Sequence, residues 1–450
     1  MMRKIIALFT FAIFAISCQQ AKEQSTNYDV LSEKDRAVLR DDLIKDRFDN
    51  LLPKLMDETG IDMWVVISRE YNEDPVIKTM LPSEWLNARR RTILVFYRDA
   101  KTNTTERLAV ARYYVGANIQ SAWDKEKEPN QWGALNRIIE ERNPSKIGIN
   151  SSTYFALADG LVKTDYDEFA ANLSAANRNK LVSAEKLAIA WIETRTEKEM
   201  KLYKNLVRIT HDIIDEAFSS KVIVPGKTTT EDVVWWMRQK VTDLGLDTWF
   251  HPTIDIQRNK EPLQSHIVSF SKGQNEQVIM PQDLLHCDFG ISYLGLNTDC
   301  QQHAYVLGKD EVEVPQFLAD AFAKGNRLQD ILTSTMQTGK TGNEILLASL
   351  EKAKKEGLRP SIYSHPLGNF GHSAGTTIGM WDSQGGVPVN GDYPLHNNTV
   401  YAIELNVTVT LKEWQKDIRI MLEEAGYFGE GSHQYVNKRQ EAIKPIQINY

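Results

Sequence analysis

Two aspartates lie eleven residues apart in the stretch LLHCDFGISYLGLNTDCQQ, residues 284–302. Apolar runs flank a region bounded by Gly290 and Gly295, which predicts two short strands joined by a tight loop. If Asp288 faces Asp299 across this antiparallel pair, their side chains lie about 5 Å apart on one face. Two like charges at that separation repel, so a shared proton, an arginine or a metal ion must compensate them.

Two further segments carry side chains that could meet these aspartates. SHPLGNFGHSAG, residues 364–375, contains His365 and His372 among glycines and small residues, which let a backbone approach a ligand closely. TVYAIELNVTV, residues 399–409, is an apolar strand pattern with one acid, Glu404. An unpaired carboxylate is costly among such neighbours.

A third segment, DIRIMLEEAGYF over residues 417–428, contains Glu423 and Glu424, only one of which can share a strand face with Met421. Each feature alone has an ordinary structural explanation, such as a loop histidine or a glutamate paired with an arginine. Together they give four acids and one imidazole, which suits Mn²⁺, Zn²⁺, Fe²⁺ or Co²⁺. Such a set can hold two divalent ions about 3.5–4 Å apart.

These segments resemble metallopeptidase family M24, the pita-bread group that includes methionine aminopeptidase, Xaa-Pro aminopeptidase and Xaa-Pro dipeptidase. The paired aspartates, SHPLGNFGHSAG, AIELN and MLEE each match a motif of that family, in the same order. The resemblance covers residues 193–450, and residues 30–190 resemble the creatinase-type N-terminal domain of the Xaa-Pro members by strand pattern. It implies an α+β chain in which a smaller α/β domain precedes a pita-bread catalytic domain.

The resemblance also implies the residues of the site. Five residues match the family's metal ligands: Asp288, Asp299, His365, Glu404 and Glu423. They would hold two divalent ions, manganese foremost, with zinc, cobalt or iron as the other choices. His372 would be a catalytic histidine beside the ions. An upstream histidine would line the pocket, with His266 as the first candidate and His251 as the second.

The implied activity is that of a hydrolase, a metallo-aminopeptidase or dipeptidase that cleaves the N-terminal bond of short peptides, with Xaa-Pro bonds as one substrate class. A hydroxide bridging the two ions would be the nucleophile. Glu404 would take a proton from the water and return it to the leaving amine. His372 and His266 would donate to the oxyanion of the tetrahedral intermediate.

The chain departs from the pattern of the Xaa-Pro members at several positions. Ser361 stands where a histidine is usual, Met421 where an arginine is usual and Asn406 where a proline is usual. After Asp299 the chain reads CQQH, where the Xaa-Pro members usually have xTR, with x any residue. The requirement for proline therefore stays open. So do two other functions on this fold: a non-peptidase enzyme, such as a C–S lyase or an amidinohydrolase like creatinase, and a non-catalytic binding module.

The first 18 residues are typical of an export signal. A basic start precedes the apolar run Ile5–Ile16, which is too short to span a bilayer. Small residues before Cys18 resemble a bacterial lipoprotein cleavage site, and an ordinary signal peptide cut nearby is the alternative. We therefore predict export to the cell envelope or periplasm, with a membrane contacted only through a lipid anchor on Cys18.

Length and charge set the organisation of the remaining chain. With 450 residues the chain is too long for one ordinary core. Its net charge is −7, and the sequence contains no basic stripe that would indicate nucleic acid as a partner. The predicted parts are a signal peptide (1–18), a linker (19–30), a creatinase-like domain (31–190) and a pita-bread domain (193–450). Dimers are common in the family, so a homodimer is one expectation, and a short peptide is the expected substrate.

The elements that position the site follow from local patterns. Apolar periodicity predicts a helix over 32–60 and buried strands over 61–69, 92–99, 107–114 and 146–152. Capping boxes predict that two later helices begin at Thr196–Glu199 and at Thr228–Glu231. Further helices are predicted over 314–335 and 341–357.

Two cysteines share the predicted hairpin with the aspartates. The assumed register places Cys287 opposite Cys300, where a cross-strand disulfide is one interpretation for an exported chain. Two buried thiols that pack as small apolar groups are the favoured interpretation, because disulfide geometry is demanding.

Overall fold

The computed structural model describes residues 28–263 and 276–448. The elements named below all belong to one compact unit, Leu31–Tyr450. The predicted signal peptide with Cys18, most of the predicted linker, and His266 lie outside the described residues. Among the residues that are described, no helix is long and apolar enough to cross a membrane.

The chain opens with a nearly continuous helical segment. The first helix, α1 (Glu33–Asp46), runs through a π-helical turn (Arg47–Leu51) into α2 (Leu52–Thr59). Gly60 ends this segment with a φ of 65°, the left-handed conformation that glycine adopts most readily at a helix C-terminus. The helix predicted over 32–60 is therefore confirmed, apart from the π turn within it.

A mixed six-stranded sheet forms the centre of the N-terminal part. Its strands are β1 (Met63–Arg69), β2 (Arg91–Asp99), β3 (Thr104–Val110), β4 (Gln120–Ser121), β5 (Ile147–Ile149) and β6 (Leu181–Ser183), in the order β4-β3-β2-β1-β5-β6. The helices that accompany them are α3 (Pro75–Lys78), α4 (Gln131–Arg142), α5 (Lys163–Asn172), α6 (Ala175–Arg178) and α7 (Glu185–Glu193). Strand β1 is buried on both faces, since Trp64 and Met63 belong to different apolar clusters. The strand predicted over 107–114 lies earlier, at β3.

Four longer helices flank the C-terminal part. They are α8 (Glu197–Ala217), α9 (Thr230–Asp243), α10 (Gln316–Thr335) and α11 (Gly342–Lys355). The predicted capping box of α8 is present. At α9 the box is formed by Thr229 and Asp232, one residue later than predicted. The prediction failed because the hydroxyl of Thr228 accepts a hydrogen bond from the backbone N–H of Val224 instead, at 2.9 Å.

Four smaller sheets carry the segments singled out by the sequence. Their strands are β7 (Thr253–Gln257), β8 (Leu284–Phe289), β9 (Ser292–Tyr293), β10 (Leu296–Asn297), β11 (Cys300–Val306), β12 (Arg359–Ile362), β13 (His365–Leu367), β14 (Thr399–Ala402), β15 (Leu405–Leu411), β16 (Lys416–Leu422), β17 (Ala425–Gly429), β18 (Ser432–Tyr435) and β19 (Lys444–Ile446). The sheet orders are β10-β9, β19-β11-β8-β7, β12-β15-β16 and β13-β14-β17-β18. Helix α10 packs against β15 and β16 over an apolar core. This arrangement confirms the predicted α+β class, while the domain boundaries at 190 and 193 stay predictions.

The hairpin of β8 and β11 differs in register from the prediction. Gln301, rather than Asp299, lies opposite Asp288. The reason is the turn: β9 and β10 close on Leu294 and Gly295, which have φ values of 54° and 80°. This two-residue turn lies one residue later than the prediction assumed. It therefore shifts the β11 partner of every β8 residue by two positions.

The same shift separates the two cysteines. Cys287 lies opposite Gln302, and Cys300 lies opposite Phe289. Both cysteines are free and buried. The favoured interpretation, two buried thiols, is therefore confirmed, whereas the predicted pairing of Cys287 with Cys300 is wrong.

Candidate metal centre

The five residues predicted as metal ligands lie together where strands of different sheets end. Asp288 is close to the end of β8, Asp299 immediately precedes β11, and His365 is the first residue of β13. A shift of two keeps side chains on the same face of a strand, so Asp288 and Asp299 still point to the same side of the hairpin. The ligand atoms form overlapping groups within 4.8 Å of one another.

Glu404 and Glu423 each lie in a break between two strands. Glu404 separates β14 from β15, and Glu423 separates β16 from β17. In both cases the chain passes from the three-stranded sheet to the sheet of β13, β14, β17 and β18, or back. The continuous strands predicted over 399–409 and 417–428 are therefore wrong. The crossings bring both glutamates to the seam between the two sheets.

The imidazole of His365 is the centre of one group of ligand atoms. Its Nε2 lies 3.8 Å from Glu404 Oε2, 3.8 Å from Glu423 Oε1 and 4.0 Å from Asp299 Oδ2. These separations are too long for hydrogen bonds. Ligand atoms around a divalent ion lie about 2.0–2.2 Å from it, which places opposite ligands about 4 Å apart. The spacing therefore fits a cation held between these four side chains.

Several of these ligand atoms are buried and have no hydrogen-bond partner. They are Asp288 Oδ1, Asp299 Oδ1, His365 Nε2 and Glu423 Oε1. Buried polar atoms are almost always paired, and each exception requires an explanation. All four unpaired atoms can act as acceptors, so a divalent cation is a partner that fits their chemistry.

The electrostatics lead to the same conclusion. Burial raises the pKa of Asp288 to about 6, and burial followed by repulsion from Asp288 raises the pKa of Asp299 well above its usual range. Burial, with repulsion among the acids, does the same to the pKa values of Glu404 and Glu423. Burial also lowers the pKa of His365 to about 3, with a contribution from His372. Without a cation Asp299, Glu404 and Glu423 therefore favour their protonated forms, and the neutral ring of His365 offers a free lone pair.

The candidate ligand atoms form three overlapping groups. The first contains His365, Glu404 and Glu423, the second Asp288, Asp299 and Glu423, and the third Asp299, His365 and His372. Glu423, which is 1% exposed, belongs to the first two. A carboxylate shared between two groups of donor atoms is an arrangement that can hold two neighbouring divalent ions.

Glu424 points to the opposite side from Glu423, as the alternation of a strand predicts. Its Oε2 lies 2.6 Å from Nε2 of His211, and its Oε1 accepts hydrogen bonds from Gln302 and from the backbone N–H of Gln440. Both oxygens are thus paired within a buried network. Glu423, and not Glu424, joins the other acids.

His372 lies beside this group on the glycine-rich loop. Its ring centroid is 4.8 Å from that of His365 and 5.2 Å from that of Trp249. A Cβ at Gly371 would lie 2.4 Å from the ring of Trp249, so glycine is required for this close approach. Trp249 is itself fixed by a 2.8 Å hydrogen bond to the carbonyl of Thr298. His372 as a residue is exposed to solvent.

Of the two upstream histidines predicted to line the pocket, only His251 lies among the described residues. His266 lies outside the described residues, so its role stays a prediction. His251 is exposed, packs edge-on against Trp235 and contacts Arg238 at 3.3 Å. It belongs to none of the groups of ligand atoms found among the described residues.

Sequence reasoning missed one residue at the centre of the site, Gln301. Its amide donates hydrogen bonds to Glu404 and Glu423. The signal that identifies it is the hairpin register: once Leu294 and Gly295 are recognised as the turn, Gln301 is the residue opposite Asp288.

The site is a group of buried acids with one imidazole, and comparison with known proteins identifies the family. The model of "Metallopeptidase family M24" matches residues 201–426, half of the chain. The chain belongs to this family. A search of curated proteins found no match.

Solved structures of similar fold cover almost the whole chain. An X-Pro aminopeptidase from Thermotoga maritima is 14% identical, with a TM-score of 0.62 over 87% of this chain and all of its own. An Xaa-Pro dipeptidase from Bacillus anthracis is 14% identical, with a TM-score of 0.56 over 92% of this chain and 100% of its own. The N-terminal domain of the FACT complex subunit SPT16 from Cicer arietinum is 12% identical, with a TM-score of 0.53 over 92% of this chain and 99% of its own. These matches bear out the predicted pita-bread fold with its preceding domain.

Proposed function

We propose that this chain is a metal-dependent exopeptidase that hydrolyses the N-terminal bond of short peptides, with two divalent ions in its site. Asp288, Asp299 and Glu423 would hold one ion, and Asp299, His365, Glu404 and Glu423 the other. The observation that carries the proposal is the group of buried acceptor atoms that have no hydrogen-bond partner. A site of this chemistry suits manganese, and zinc, cobalt and iron are the other candidates.

When bound, such ions lower the pKa of water and stabilise negative charge on a carbonyl oxygen. Glu404 is suited to act as the base, because its side chain is 15% exposed, against 5% for Asp299 and 1% for Glu423. It would take the proton of the attacking water and give it to the leaving amine. His372 would donate to the oxyanion. Burial lowers its pKa, so the ring is neutral and still carries one N–H for this purpose.

We propose Xaa-Pro peptides as one class of substrate, without a requirement for proline. Three positions that differ from the Xaa-Pro members, Ser361, Asn406 and Met421, are direct cross-strand neighbours on β12, β15 and β16. They form one row beside Glu404 and Glu423. This row carries no charged side chain, so the surface next to the reacting groups differs from that of the Xaa-Pro members.

The test is a panel of short peptides supplied to protein reconstituted with Mn²⁺. The panel pairs Xaa-Pro and Xaa-Ala peptides, each with a free or an acetylated N-terminus. We expect release of the N-terminal residue from free peptides only, and no release after chelation. Bound metal without hydrolysis of any peptide would favour a non-peptidase enzyme, and a protein without metal or hydrolysis would favour a binding module.

The cellular setting is proposed from sequence alone. The chain would be exported and anchored through a lipid on Cys18, and the family resemblance suggests a homodimer. Both proposals are independent of the site, so the peptide panel does not depend on them.

A further inference from the structure

Gln301 lies between two of the proposed ligands. It is 4% exposed on β11, with Asp288 opposite it on one side. On the other side its backbone pairs with that of Glu423, through N–H to O distances of 2.9 and 3.2 Å. The side chain of Gln301 therefore points to the same side as those of Asp288 and Glu423.

The amide of Gln301 holds one oxygen of each of two glutamates. It donates to Oε1 of Glu404 and to Oε2 of Glu423, the latter at 2.9 Å. The other oxygens of these residues, Glu404 Oε2 and Glu423 Oε1, face Nε2 of His365 at 3.8 Å each. Each carboxylate is thus fixed in rotation, with one oxygen on the amide and one directed at the imidazole.

The orientation of this amide follows from its partners. Two carboxylate oxygens require two N–H donors, so the nitrogen of Gln301 faces them and its carbonyl oxygen faces away. That oxygen lies 3.0 Å from Nε2 of His286, which must be the donor. His286 is in turn 3.3 Å from a carboxylate oxygen of Asp255. The contact with His286 fixes the carbonyl oxygen of Gln301, on the side of the amide that faces away from the two glutamates.

We propose that Gln301 is a positioning residue that fixes Glu404 and Glu423 for the ion on the His365 side and thereby sets the affinity of that site. This proposal rests on the proposed function, since it assumes that these residues bind a metal. Outer partners that orient metal ligands typically contribute about 10- to 100-fold in affinity. The structure assigns this role to an amide that donates to two ligands at once.

The neighbouring residue offers a matched control. Gln302 is 7% exposed on the same strand and also donates its amide to a buried glutamate, Glu424, at 2.9 Å. Its side chain lies on the other face, away from the proposed ligands. Removing Gln302 leaves one carboxylate with one fewer donor and removing Gln301 leaves two, so both losses reduce stability. Only the loss of Gln301 should change metal binding.

The experiment compares Gln301→Met with Gln302→Met by titration of the metal-free proteins with Co²⁺. Binding is followed by calorimetry, and coordination by the visible absorption of Co²⁺. We expect Gln301→Met to bind one of the ions, that on the His365 side, about 10- to 100-fold more weakly and with an altered spectrum. Gln302→Met should match the wild type in both measurements. Gln301→Asn, which keeps the amide on a shorter side chain, provides a second variant if Gln301→Met does not fold, and we expect weaker binding there too.

Wild-type affinity and spectrum in the Gln301 variants would overturn the proposal, as would an equal loss in Gln302→Met. These results leave the metal site itself intact. A wild-type chain that binds no Co²⁺ would instead overturn the proposed function, and this proposal with it.

Discussion

Replacing Glu404 with glutamine should lower kcat by about 10²- to 10⁴-fold, the usual contribution of a general acid–base group. A carboxamide cannot accept the proton of the attacking water. The fold should survive the change, because an amide oxygen can still accept the hydrogen bond that Gln301 donates to Oε1 of Glu404. The substitution also removes the need to protonate this carboxyl on folding, since burial raises its pKa well above the usual range, and this favours folding of the metal-free chain near neutral pH.

The measurement is steady-state kinetics of Glu404→Gln on a peptide that the wild type cleaves, together with the metal content and thermal unfolding of the same preparation. Glu413→Gln is a suitable control, since Glu413 is exposed on the turn between β15 and β16. The control should have wild-type kcat. Near-normal turnover in Glu404→Gln would contradict the role proposed for this residue.

Removing the metal should make the free energy of unfolding fall as pH rises from 6.5 to 8. Unfolded aspartates and glutamates ionise near pH 4. In the folded metal-free chain, burial raises the pKa values of Asp299, Glu404 and Glu423 well above that range. The folded state therefore binds more protons than the unfolded state. Each extra proton reduces stability by about 1.4 kcal/mol per pH unit between the two pKa values.

The pH window reduces the contribution of the histidines but does not remove that of His211. Burial opposes protonation of His211, but the charge and hydrogen bond of Glu424 outweigh burial and raise its pKa. His211 titrates in the metal-loaded protein as well, so that protein corrects for it. Above pH 6.5 unfolded histidines are mostly neutral. Buried His303 and His365 are neutral there as well, because burial lowers their pKa values to about 3. A bound cation compensates the charge of the ionised acids, so the folded chain no longer needs the extra protons. Saturating Mn²⁺ should therefore raise the unfolding temperature more at pH 8 than at pH 6.5.

Thermal unfolding at both pH values, with chelator or with Mn²⁺, tests this dependence. The metal-loaded protein is the control for all other titrating groups, since they are common to both forms. A metal-free chain whose stability does not fall with pH, and which Mn²⁺ does not stabilise, would contradict the electrostatic account of the site.

Residue type and order were sufficient to single out five residues that the structure brings together, while their role as metal ligands stays a prediction. Asp288 and Asp299 were expected to be close, and the structure brings them together with His365, Glu404 and Glu423. The partner of Asp288 was predicted wrongly because hairpin register depends on the turn. A leucine with positive φ, as at Leu294, is uncommon and gives no signal in the sequence.

Two other features depended on contacts that the sequence does not reveal. The apolar runs around Glu404 and Glu423 look like single strands, since local pattern does not indicate where a strand leaves one sheet for another. Gln301 was missed because an amide beside four acids has no recognised spacing, and its importance appears only when its two acceptors are known. The capping box of α8 was predicted correctly because it depends on residues close together in the chain, whereas the box of α9 lies one residue later because Thr228 bonds to Val224 instead.

The most direct test of the account is the metal content per chain, measured by elemental analysis on protein purified without added metal and then reconstituted with Mn²⁺. Asp299→Ala is the informative variant, because Asp299 is proposed to contact both ions, and Asp310→Ala is a control at an exposed position. The account predicts about two ions per chain in the wild type and the control, and their loss in Asp299→Ala. No bound ion in the wild type, or an unchanged content in Asp299→Ala, would contradict it.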